Sequence, residues 1–343
     1  MLKPLILVLI FSIRGQNVSE AYPTEQASPY ITLENSQFGP NIEGTAVNSA
    51  GQIFSTSYGP KDPLYRVGRI THPQTEFYVD NKNNSYVNGV RFLNKHEAYV
   101  GDVINHRVLK LEINNGGKVT KSSEFCSNSE MIQPNDIALG SNGVVFTSGS
   151  RFTPTTSDKS GDIWVCEPGK PAKRLIVMWR TNGIEVSNDN TKLYVSEAYD
   201  KDGKSIVQKI WKFHINPDYT LSDKELFADF ETLDGTQADH IDGMRFDIKG
   251  NLYVVRHGGQ HVTVLDPSGK INRKIKLNFT YPTNLELGGK DGKELYIVGR
   301  CGIFTHEGHG KGCVDRIAVP YPGRAFTNLQ ASRESGNDEN SDL

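Results

Sequence analysis

The stretch His240 to Lys270, HIDGMRFDIKGNLYVVRHGGQHVTVLDPSGK, contains the unit from which the chain is built. Asp242-Gly243 precedes an alternating run, Met244, Phe246 and Ile248, and a Lys-Gly-Asn turn then leads into a second apolar segment, Leu252 to Val255. A third, His261 to Leu265, ends at the turn formers Asp266-Pro267-Ser268-Gly269. Period-two alternation interrupted by Gly, Asn, Asp and Pro is the pattern of short strands joined by tight turns. The unit is a meander with one polar residue at its entrance.

It can be laid on five other places: IEGTAVNSAGQIFSTS from Ile42, VNGVRFLNKHEAYVGD from Val87, PNDIALGSNGVVFTSG from Pro134, TNGIEVSNDNTKLYVSE from Thr181 and PTNLELGGKDGKELYIVG from Pro282. The leading polar residues, Glu43, Asn88, Asn135, Asn182, Asp242 and Asn284, are separated by 45, 47, 47, 60 and 42 residues. Strand repeats of about that period are the signature of a β-propeller with one four-stranded blade per repeat. The expected fold is therefore all-β, a single six-bladed propeller over residues 29–324. The 33 glycines and the strands rich in Val, Ile, Tyr and Phe agree with it. A net charge of -2 gives no electrostatic reason to expect nucleic acid as a partner.

At the N-terminus, Lys3 precedes an apolar run from Leu5 to Ile13 that is too short to span a bilayer. It predicts a signal peptide over residues 1–21 and a secreted, extracellular protein with no membrane anchor, expected to be a monomer. Asn83 and Asn278 head glycosylation sequons, as does Asn17 if it survives cleavage. Four cysteines suit an oxidising compartment. Cys301 and Cys313 flank the connection between two strands of the last blade and are expected to pair, which leaves Cys126 for Cys166. His306 and His309 lie between the first two, but C-x4-H-x2-H-x3-C is not a familiar zinc spacing. The segment Pro29 to Glu34 is a strand without a partner of its own, and the last repeat supplies only three strands, so pairing them would close the ring. The polar, acidic stretch 331–343 reads as a disordered tail.

In a propeller the first strand of each blade lines the central channel, so the six leading residues should converge at one mouth. All six offer oxygen donors. Two carboxylates among amide carbonyls require a cation between them, and hard oxygen ligands select calcium or magnesium, with calcium more tolerant of an amide-rich shell.

Glu43-Gly44, Asn135-Asp136, Asn182-Gly183 and Asp242-Gly243-Met244, in that order and at blade spacing, resemble the senescence marker protein/gluconolactonase/luciferin-regenerating enzyme family, which includes squid diisopropyl fluorophosphatase. The resemblance implies one calcium at the channel mouth, held by Glu43, Asn135, Asn182 and Asp242, and a hydrolase acting on lactones, related esters or organophosphates. Asp242 would be the catalytic base or nucleophile, with Asn135 orienting the substrate. Around them, Asn88, Asn284, Tyr58 and His257 are candidate substrate contacts. Gln133, a further candidate substrate contact, stands where sugar-lactone-hydrolysing relatives carry an arginine, so a less polar lactone or another ester is expected at least as much as gluconolactone. Some relatives bind a second calcium deeper in the channel; the matching positions here are Arg245 and Glu286, which are expected to form an ion pair instead. The alternative reading is a secreted, non-catalytic binding propeller with a structural calcium.

Overall fold

The computed structural model describes residues 22–59, 62–72, 76–79, 86–302 and 310–334. The alternating segments become strands, and these form six sheets in which successive strands pair antiparallel, as tight turns require. The innermost strands are Asn41–Val47, Val87–Phe92, Pro134–Leu139, Arg180–Val186, His240–Phe246 and Tyr281–Gly288, one for each of blades 1 to 6. Neighbouring inner strands pack against one another around the whole circle, the sixth against the first. Apolar residues on facing sheets fill the spaces between blades, as where Ile42, Val90, Leu109 and Val298 lie together fully buried.

The ring is closed by the start of the chain. Ser28–Ile31 runs antiparallel to Lys311–Ala318 and gives blade 6 its fourth strand, as the unpaired strand-like segment near Pro29 led us to expect. Just before it, Thr24–Gln26 adds a fifth strand to blade 5, parallel to Ile271–Lys276, which the sequence did not suggest. One short segment thus covers the outer edges of two blades and fastens them together.

Every inner strand slips register near its leading residue. The unpaired positions are Gly44, Asn88 with Gly89, Asn135, Asn182 with Gly183, Asp242 with Gly243, and Thr283. Such bulges re-aim a side chain out of the ladder, and here they turn the leading residues toward the axis. Two glycines make the crowding there possible. A Cβ on Gly89 would lie 2.8 Å from Asp136 Oδ1, and one on Gly243 would lie 2.5 Å from Cγ of Asn284, so each blade's glycine makes room for the next blade's polar side chain.

The far end of the channel is covered by helix α1, Arg324–Glu334, whose Phe326 and Leu329 join the apolar core beside blade 1. Gln330 Nε2 donates to Ser49 O at 2.7 Å and holds it there. The stretch expected to be a disordered tail therefore begins inside a helix, because Ala331 to Glu334 complete its last turn; residues 335–343 lie outside the described residues. The expected signal segment, Asn83, His306 and His309 also lie outside them. Among the described residues no helix is long and apolar enough to cross a membrane.

Both expected disulfides are present. Cys301–Cys313 joins the second and third strands of blade 6, and Cys126–Cys166 ties the outermost strand of blade 2 to the third strand of blade 3. With all four thiols oxidised, the zinc arrangement is ruled out. Asn278 is an exposed residue, but its Nδ2 already donates to Ala27 O and to Asp315 Oδ2, each at 3.0 Å.

The Cys126–Cys166 bridge closes a loop with a sequence separation of 40. Replacing both cysteines by serine should lower stability by about 3–4 kcal/mol on the chain-entropy account. Denaturant unfolding of parent and variant checks this, with a lower midpoint expected.

Candidate functional site

The leading residues of blades 1 to 5 open into a cavity of about 570 Å³ at one mouth of the channel. Glu43, Asn88, Asn135, Asn182 and Asp242 all line it, as do Gln133 and His257. Asn284 does not. In blade 6 the unpaired position falls on Thr283, so Asn284 sits one residue deeper, 2% exposed, with its Oδ1 accepting from Arg245 Nη2 and from the amide of Leu285, both at 2.9 Å. Its expected place on the cavity wall is thus corrected by a one-residue offset. Tyr58 lies on the second strand of blade 1 opposite Asn41, and its side chain is outside the described residues.

The amides form a directed chain. Asn88 Nδ2 donates to Asn135 Oδ1, Asn135 Nδ2 donates to Asn182 Oδ1 at 2.7 Å, and Asn182 donates to the carboxylate of Asp242. An ionised carboxylate only accepts, so Asp242 in its charged form, the form a bound cation would hold, sets which way all three amides point.

Both acids are held out of water. Burial pushes the Asp242 carboxyl up to about 8, with the charge of Asp136 adding to the effect and Arg300 opposing it. Glu43 is raised well above the usual carboxylate range, first by burial and next by the charge of Asp242. Two desolvated carboxyl groups, with the charge of Asp242 raising Glu43, lie beside the amide oxygens of Asn135 and Asn182 and form a donor set that fits a hard divalent cation.

Two histidines complete the wall with opposite polarity. Gln208 Oε1 accepts from Ile241 N at 2.9 Å, which turns its Nε2 toward His240 Nδ1, 3.1 Å away. Arg180 Nη2 reaches the same nitrogen at 2.8 Å. Facing two donors, Nδ1 must accept, so the ring's proton is on Nε2. His257 Nδ1 lies 3.0 Å from Pro282 O and must donate, leaving Nε2 as an acceptor. Burial, with Arg300 adding to it, pushes His257 down to about 4, so it is neutral at physiological pH.

Several wall residues were not singled out from sequence: Tyr86, Phe152, Arg180, Asp200, His240 and Arg300. Arg180 Nη1 pairs with Asp200 Oδ2 at 2.5 Å. Arg300 lies near the end of its blade's second strand, the placement that pointed to His257 in blade 5, so the same argument would have found it.

Beneath the cavity, the next inward-facing row carries charge. Arg245 Nε lies 3.1 Å from Glu286 Oε2, the pair expected from sequence, and its Nη2 donates to Thr45 O at 2.9 Å. The network is larger than that pair. Arg245 and Arg91 each approach Asp136 to 3.6 Å, Arg91 lies 3.7 Å from Glu185, and Arg324 reaches Glu185 from the start of α1 at 3.5 Å. Three guanidiniums thus face three carboxylates, and an arginine cannot ligate a metal. This level of the channel is neutralised by its own side chains.

A family model described as SMP-30/Gluconolactonase/LRE-like region matches residues 63–299. A gluconolactonase of Zymomonas mobilis is 29% identical over 174 residues, 48% of this chain and 47% of that protein. The chain spans about half the length of the curated relatives it matches. Among solved structures, a luciferin-regenerating enzyme superposes with a TM-score of 0.65 at 16% identity, covering 83% of this chain and 94% of that one. Regucalcin, a calcium-binding protein of Agrobacterium tumefaciens, gives 0.66 at 13% identity over 88% and 97%.

Arg245→Met should cost about 3–5 kcal/mol, because it leaves buried carboxylates uncompensated. Arg245→Met combined with Glu286→Leu should recover part of that loss. A double-mutant cycle in denaturant measures the coupling.

Proposed function

As the chain belongs to the SMP-30/gluconolactonase/LRE-like family, we propose that it is a calcium-dependent hydrolase that opens lactones or related esters at the channel mouth. The observation that carries this reading is the meeting of Glu43 and Asp242, both desolvated, with the amides of Asn135 and Asn182 on one cavity wall. Glu43, Asn135, Asn182 and Asp242 would hold the ion. The naming of a structural neighbour as calcium-binding supports the choice of metal. Bound there, calcium supplies Lewis-acid polarisation of the ester carbonyl.

The chain's own residues do the rest. Asp242 takes a proton from water as the water oxygen bonds to the carbonyl carbon, and returns that proton to the ring oxygen as it leaves with the electrons of the acyl C–O bond. Alternatively, Asp242 attacks that carbon itself, the ring oxygen leaves and takes a proton from water, and the resulting hydroxide hydrolyses the acyl-enzyme. Asn182 holds that carboxylate in place, and Asn135, oriented from both sides, positions the substrate. His240 presents an Nε2–H donor to an acceptor on the substrate, while His257 Nε2 accepts from a donor. Both keep these roles because burial holds their rings neutral. Phosphotriesters, whose hydrolysis also needs a polarised oxygen and an activated nucleophile, are the second substrate class. Secretion accords with the two disulfides.

Turnover of a panel of lactones, aryl esters and phosphotriesters tests the proposal. Chelation should abolish activity and added calcium restore it, and Asp242→Asn should lower kcat by about 10²–10⁴-fold, the range for a lost proton-transfer group. Chelator-insensitive stability with no turnover on any substrate would overturn it.

A pH dependence follows for the chelated protein. The Asp242 carboxyl rises from 3.8 to about 8 on folding. Between those values the folded state keeps a proton that the unfolded chain has released, so stability falls as pH increases across that window, and Glu43 acts in the same direction. Thermal unfolding with excess chelator from pH 5 to 8 should show a falling midpoint. Calcium should flatten the curve, since it takes over from the protons.

A further inference from the structure

Phe152 and Ile104 stand at the rim of the same cavity with 63% and 48% of their surfaces exposed, and both line it. Apolar surface left in water contributes nothing to folding, yet the chain fixes both residues in place. Phe152 belongs to the loop 151–160 of blade 3, which is bound to the long hairpin of blade 4. Thr156 N donates to Asp200 O at 2.9 Å, Asp200 N to Thr156 Oγ1 at 3.0 Å, and Gly203 N to Pro154 O at 2.8 Å. The guanidinium of Arg180, itself paired with Asp200, lies 5.5 Å from the centre of the Phe152 ring. Ile104 lies in the turn after the second strand of blade 2. There Asp102 accepts from Asn105 Nδ2 at 2.8 Å and from Arg107 Nε at 2.9 Å, and Val103 N donates to Tyr86 O at 2.8 Å.

The polar groups face them across the ring. In a six-bladed circle blade 2 stands opposite blade 5, which carries His240, Asp242 and His257, and blade 3 stands opposite blade 6, which carries Arg300. The mouth therefore carries two exposed apolar side chains on blades 2 and 3, among the polar Asn88, Gln133 and Asn135, and a polar wall across from them. Two side chains are far too little surface for a protein partner, which needs about 800 Å² on each side. They are continuous with the cavity, so the occupant that fits is part of a small molecule reaching out of it.

We propose that Ile104 and Phe152 form a subsite for a hydrocarbon substituent, so that the substrate is a lactone bearing an alkyl or aryl chain, its ester group at Asp242 and its chain lying across blades 2 and 3. This rests on the hydrolase reading given above.

The test has two arms on the full chain with calcium. In the first, kcat/KM is measured for γ-lactones with alkyl chains of increasing length. Full burial of a methylene corresponds to about fourfold, and a half-exposed lip to about twofold, for each carbon added. Phe152→Ala with Ile104→Ala should flatten that rise, lowering the ratio of the longest lactone to the shortest. In the second arm, calorimetry measures binding of 2-alkylcyclopentanones, which have no ester to cleave. Affinity should rise with chain length in the parent and not in the double variant. Turnover with no chain-length dependence would overturn the subsite and leave the hydrolase reading standing. Chain-dependent binding without turnover would keep the subsite and remove the hydrolase reading. Absence of both effects would overturn both, and an equal rise with chain length in parent and variant would show that the lip is elsewhere.

Discussion

Three carboxylates, Asp136, Glu185 and Glu286, and three guanidiniums, Arg91, Arg245 and Arg324, neutralise one another in the middle of the channel. The rest of the axis depends on this balance. Six inner strands converge on a space with little water, where an uncompensated charge is costly. Glu43 and Asp242, one row above, are buried and feel the charge of Asp136; Arg300 offsets both and Arg180 also offsets Asp242, yet both acids are driven toward the protonated form. The helix α1 contributes to the same balance. By delivering Arg324 to Glu185, it makes the floor of the channel part of the electrostatics as well as of the packing.

The mouth combines two kinds of order. The amide chain from Asn88 to Asp242 is held by hydrogen bonds that all run one way and end on the carboxyl of Asp242. The lip at Ile104 and Phe152 is held indirectly, through the backbones of the loops that carry it. A site built on strand ends and on loops bonded to strands has little freedom to rearrange around its ligand, so its shape selects what can bind.

Much of this was legible in sequence because repetition removes the ambiguity of single strands. Asp242-Gly243 alone is an ordinary turn, but six such units at blade spacing fix the ring and place five of the six leading residues on the cavity. The sixth, Asn284, was misplaced because Thr283 takes the bulge in blade 6, and a one-residue shift of the bulge is not visible in the pattern TNLEL. The Arg245–Glu286 pair was readable because both residues match positions that hold a deeper metal in some members of the family the sequence resembles, and both begin inner strands of adjacent blades. Its extension to Asp136, Glu185 and Arg324 was not, since it depends on which blades meet across the axis and on where a C-terminal helix docks. Arg180, Asp200 and Phe152 likewise come together only through the loop and hairpin contacts between blades 3 and 4.

The segment that fastens blades 5 and 6 has a consequence for biosynthesis. Gln26 bonds to Lys276 across 250 residues of sequence, and Ser28–Ile31 waits for Lys311–Ala318. At ribosomal speeds the first strands to be made must remain without partners for tens of seconds while five blades emerge behind them. Closure is then a late event with a large loop to span, which slows folding. Until it occurs, the outer strands of blades 5 and 6 present open edges to any other chain nearby. For this protein, the period of greatest exposure to misassembly is the interval between the synthesis of Lys311–Ala318 and the docking of Thr24–Gln26 and Ser28–Ile31.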